Sequence, residues 1–74
     1  MTEQELTAKL AGIKPGALLL IRDTDGDFSM RVFGSSNGPH LYCGWGVLEG
    51  ASHTSDSSST HITHIADITV LKQV

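Results

Sequence analysis

The chain has a single cysteine, Cys43, among its 74 residues, so no internal disulfide can brace it. That usage fits a reducing compartment such as the cytoplasm. Long apolar runs are missing too. The longest, Ala17 to Ile21, falls far short of the ~20 residues a helix needs to cross a bilayer. The opening Met1-Thr2-Glu3-Gln4-Glu5 has neither a basic region nor an apolar stretch, which argues against a secretory signal. Positive charge is sparse and scattered. Lys9, Lys14, Arg22, Arg31 and Lys72 are the five basic residues, set against eight acidic ones, for a net charge of −3. Binding to DNA or RNA draws on clustered lysine and arginine that release counterions from the phosphates. Without such a cluster, direct nucleic-acid binding is not expected. No repeat, linker or change of composition divides the chain, and its length suffices for one domain over residues 1–74. A domain this small buries only about 60% of its unfolded surface, so its stability margin is thin. With no disulfide, extra support would have to come from a metal or a partner subunit, a homodimer included.

What is present reads mainly as β structure behind a short helix. Thr2-Glu3-Gln4-Glu5 has the form of a capping box, with Met1 and Leu6 at the staple positions. Leu6 and Leu10, four apart, share one helix face, and Gly12 suits the residue just past the end. The pattern predicts a helix over 3–11, too short to stand unsupported. Pro15-Gly16 then opens a barrel over 16–74. Its first strand is the apolar run Ala17 to Arg22. Asp25-Gly26 predicts a type I′ hairpin turn, which requires positive φ at both central residues. Phe28, Met30 and Val32 alternate along a second strand, with Phe33 facing the other way, towards the helix or a partner. Gly34 to Pro39 reads as a turn, and His40 to Glu49 as a third strand with Leu41, Cys43, Trp45 and Val47 on one face. Gly44 and Gly46 on its other face predict sharp curvature. Gly50 to Thr60, rich in Ser, Thr and Asp, predicts a long flexible loop. Ile62, Ile65 and Ile68 are spaced by three, which predicts a short fourth strand, a 3₁₀-like turn around Thr63–Asp67, and a last strand over Ile68–Gln73.

Three features, Lys14-Pro15-Gly16 opening the first long strand, the bent Gly44-Trp45-Gly46 segment, and the turn at His64-Ile65-Ala66-Asp67, resemble an SH3-like barrel across most of residues 14–74. The resemblance implies a four- to five-stranded antiparallel barrel or curled sheet and a binding role towards other proteins or nucleic acids. The size, acidity and Ser/Thr-rich looping are also similar in style to small accessory proteins of bacteriophages and mobile elements, some of which inhibit host enzymes or host defence.

Four residues invite a chemical reading. His40-Leu41-Tyr42-Cys43-Gly44 has the spacing of a zinc knuckle, and His61-Ile62-Thr63-His64 supplies a second pair. Together His40, Cys43, His61 and His64 could form a tetrahedral zinc site. Residues i and i+3 of a regular strand point to opposite faces, however. The plainer reading is one buried cysteine and three rim histidines, with His53 solvated in the loop. Asp23, Asp25 and Asp27 lack the glycine and glutamate positions of a calcium loop and read as a polar turn. A thiol enzyme would need Cys43 beside a base and an acid, with His40, Asp67 and Glu49 as candidates. An apolar setting for Cys43 would make that thiol inert. The aromatic residues Phe33, Tyr42 and Trp45 are the candidate protein-interface anchors. The expectation is a non-catalytic protein-binding module, with a zinc-stabilised domain second and a thiol enzyme third.

Overall fold

A computed structural model describes residues 1–45 and 58–74. Helix α1 spans Glu3–Leu10 and is followed by strands β1 (Leu18–Asp23), β2 (Phe28–Asn37), β3 (His40–Trp45), β4 (Ser58–His61) and β5 (Ile65–Lys72), with one 3₁₀ turn over Ile62–His64 between the last two. Among the described residues the strands form one five-stranded sheet in the order β4-β3-β2-β1-β5. All four ladders are antiparallel. The mainly β fold with a short N-terminal helix is thus the one the patterning implies.

The helix begins where the capping box places it. The Thr2 hydroxyl accepts from the Glu5 amide at 3.1 Å, and the Glu5 carboxylate accepts from the Thr2 amide at 3.0 Å. The second of these bonds, helped by the Thr2 hydroxyl near the carboxylate, holds the Glu5 carboxyl below its ordinary range. Leu6 and Leu10 are buried, and each contributes about 1.5–3 kcal/mol by leaving water. They join Ala17, Leu19, Ile21, Phe33, Leu41, Cys43, Ile65 and Ile68 in one core, with Met1 and Ile13 packed at its edge. The helix therefore covers one face of the sheet. A half-exposed ion pair, Lys9 Nζ to Asp67 Oδ1 at 3.1 Å, ties it to β5. Such a pair adds about 0–1 kcal/mol.

Four expectations are corrected. The β1–β2 turn is not type I′, because among the described residues only glycines have positive φ, and here that residue is Gly26 at +91°. Asp23 decides the geometry. Its carboxylate accepts from the amides of Asp25 (2.9 Å) and Asp27 (3.0 Å), and its carbonyl accepts from Gly26 at 3.1 Å. An aspartate at the first position favours an ordinary turn closed by a left-handed glycine. Gly34 to Asn37 is strand rather than turn, and only Gly38-Pro39 separates β2 from β3. Gly34 is a bulge: Phe33 pairs with Cys43 and Ser35 with Tyr42, leaving Gly34 unopposed. Ser58 to Thr60 belong to β4, not to a loop, since they pair with Cys43, Tyr42 and Leu41. The 3₁₀ turn is earlier than expected and β5 starts at Ile65. The rest of the expected loop, the end of the third strand, and Gly46 lie outside the described residues.

Candidate functional site

Alternation sorts the strand residues into two faces. The helix-side face carries Leu19, Ile21, Phe33, Leu41 and Cys43, all in the core. The opposite face carries Leu18 and Leu20 of β1, Phe28, Met30 and Val32 of β2, and His40 and Tyr42 of β3. The register joins them, with Leu18 opposite Val32, Leu20 opposite Met30, and Arg22 opposite Phe28. Leu18 and Val32 are buried, Leu20 and Met30 half-buried, and Phe28 is 63% exposed. Phe28 immediately follows the acidic turn, where Asp25 and Asp27 are exposed.

The three aromatic candidates part company. Phe33 does face away from Phe28, Met30 and Val32, and it points to the helix side, where it is only 7% exposed within the core. Tyr42 is half-buried on the outward face, its ring centroid 6.3 Å from that of His40. The Trp45 backbone pairs with Arg31, and its side chain lies outside the described set. The structure thus does not gather the three into one surface. Phe28 was not among the interface candidates. Its signal was its position, the first residue of a strand directly after a charged turn, where no core partner is guaranteed.

The histidines and Cys43 separate in the same way. His40 and His61 face each other across the β3–β4 ladder, their rings edge-on with centroids 5.1 Å apart. Cys43 belongs to the helix-side core, 2% exposed. His64 is exposed at the end of the 3₁₀ turn, with its carbonyl accepting from the Thr24 amide. Among the described residues no three His, Cys, Asp or Glu side chains are placed to share a metal ion. No cavity of ligand size and no helix long and apolar enough to cross a membrane occur among them either.

Burial pushes the Cys43 thiol up to about 11 from an ordinary 9.0, with Arg31 and a backbone hydrogen bond opposing the rise. Asp67 is three strands away in the sheet order and engaged by Lys9, whose hydrogen bond holds its carboxyl below the usual range. Glu49 lies outside the described residues. The raised thiol has a consequence for stability. The unfolded chain loses this proton near pH 9 while the folded chain keeps it, so the contribution is complete below pH 9 and lost as pH rises to about 11. Urea unfolding of the native protein and of Cys43→Ala between pH 8 and 11 should show a steeper alkaline loss in the native protein. Parallel curves would mean that the thiol is not buried. A thiol reagent should likewise react only on unfolding.

No family model matches the chain, and neither a curated protein nor a solved structure is similar enough to count as a match.

Proposed function

We propose that this protein is a non-catalytic, protein-binding module of SH3-like architecture acting in the cytoplasm, and that it docks through the sheet face opposite its helix. The meander from β1 to β4, the 3₁₀ turn, and the return of β5 beside β1 support the SH3-like reading. The observation that carries the docking reading is Phe28, an exposed aromatic flanked by half-buried Met30 and, across the ladder, Leu20 beside Met30. Aromatic anchors beside apolar neighbours are the usual centre of an interface. The exposed Asp25 and Asp27 next to it form an acidic rim, which suits a partner presenting an apolar pocket edged by lysine or arginine. Thiol chemistry is the weaker reading because catalysis needs a thiolate, and Cys43 is held protonated within the core. The specific form we propose is a phage- or mobile-element-encoded inhibitor of a host enzyme or host-defence factor. It rests on small size, mild acidity and the docking face.

Affinity capture from host lysate with the native chain and with Phe28→Ser tests the reading. The native chain is expected to retain a partner that Phe28→Ser loses, with both melting within a few degrees of each other. Failure to capture any partner, or equal capture by both, would remove the docking face.

A further inference from the structure

His40 and His61 carry an inference distinct from the four-residue zinc site suggested by residue spacing. They occupy directly opposed positions on neighbouring antiparallel strands, so their side chains leave the same face of the sheet. The two rings approach edge-on at 5.1 Å between centroids. Both residues are partly exposed, which leaves room for an ion and its remaining water ligands.

The environment of His61 adds a second, independent observation. Its Nδ1 lies 2.9 Å from the Thr63 hydroxyl and 3.2 Å from the Thr63 amide. In the neutral, metal-free ring this nitrogen accepts from the amide. With the tautomer reversed, Nδ1–H donates to the Thr63 hydroxyl and Nε2 presents its lone pair outward. Metal-binding histidines are oriented in this way by a partner on the other ring nitrogen. In that state the Thr63 amide loses its acceptor on the ring, so metal binding exchanges the amide bond for the hydroxyl bond.

We propose that His40 and His61 form a two-histidine chelate for a borderline divalent transition ion on the outward face of the β3–β4 ladder, with Thr63 fixing the His61 ring. Imidazole pairs suit Cu²⁺, Ni²⁺ and Zn²⁺, and Cu²⁺ should bind most tightly of the three. Two protein ligands leave open coordination positions, so the bound ion can accept a further ligand from solvent or from another molecule. Cys43 and His64 take no part, since neither lies with the pair. The site uses side chains other than Phe28 and stands whether or not the docking face is correct.

The test is titration of the full chain with Cu²⁺, Ni²⁺ and Zn²⁺ salts in a non-chelating buffer above pH 7, followed by calorimetry. In parallel, NMR would follow broadening of histidine ring resonances by substoichiometric Cu²⁺. One ion per chain is expected, with His40 and His61 resonances broadened first. His40→Gln and His61→Gln should each weaken binding at least tenfold, and Thr63→Val should weaken it about tenfold through the lost orienting contact. Cys43→Ser, His53→Gln and His64→Gln should bind like the native chain. His40 and His61 are partly exposed and Thr63 is exposed, so melting temperatures of these three variants report whether the fold is intact. No saturable binding of any of the three ions overturns the proposal. So does binding that survives in both His40→Gln and His61→Gln, or that follows His53 or His64 instead.

Discussion

Phe33→Ala should lower the unfolding free energy by about 3–5 kcal/mol, the usual cost of removing a buried phenylalanine side chain. At about 0.05–0.15 kcal/mol per residue, a 74-residue domain has about 4–11 kcal/mol in total. For a domain near the lower end of that range the substitution would leave a large fraction of chains unfolded at ambient temperature. Phe33 belongs to the core that joins α1 to the sheet, so the loss should include the helix's docking as well as the strand's packing. Phe28→Ala is the informative contrast. The two residues lie on the same strand, yet Phe28 is 63% exposed and Phe33 only 7%. Exposed truncations commonly change stability by less than about 0.5 kcal/mol. Urea unfolding of both variants would check the assignment of faces. Equal effects, or a larger one for Phe28→Ala, would mean the strand is turned over.

Gly34→Ala should cost about 1–3 kcal/mol by overpacking, even though it adds one methyl group to a half-buried site. A Cβ built there would stand 2.9 Å from the Tyr42 carbonyl oxygen. That neighbour is backbone, so relief requires the β2 and β3 chains to separate where the bulge brings them together. Gly26→Ala offers a control with a different cause. A Cβ there meets nothing within 4 Å, but φ is +91°, so its penalty is the conformational one of about 1–2 kcal/mol. The two are distinguishable by amide chemical shifts. Gly34→Ala should move Phe33, Ser35, Tyr42 and Cys43, whereas Gly26→Ala should disturb only the Asp23–Phe28 turn. A Gly34→Ala protein with native stability and native Tyr42 shifts would show that the close approach is absent.

What the sequence made legible follows from how local each cause is. The capping box needs only four consecutive residues, and both of its bonds form as read. The alternation of Phe28, Met30 and Val32 against Phe33 likewise gave the faces of β2 correctly. Bulges were not legible because they are properties of a pair of strands. The three-residue spacing of Ile65 and Ile68 looked like helical turning. In fact Arg22 pairs with Asp67 and Asp23 with Ile65, so Ala66 is skipped and two residues of opposite parity reach the same core. Gly34 was hidden in the same way among serines that resemble a turn. At the candidate site, residue spacing put His40 with Cys43, but alternation sends them to opposite faces. The partner His40 has is supplied by the register of β3 with β4, which no single segment encodes.

The placement of β1 between β2 and β5 also sets the order in which the chain can become whole during synthesis. Leu19 and Ile21 wait for Val70 and Ile68, which emerge from the ribosome more than forty residues later. Until then β1 has one open edge, and the core lacks both Ile65 and Ile68. Closing so long a loop costs entropy before any contact rewards it, which places folding towards the slow end for small domains. A nascent chain stopped short of β5 would expose a leucine-rich strand edge of the kind that recruits other unfinished chains. Completion of the last strand therefore converts an aggregation-prone intermediate into the finished sheet.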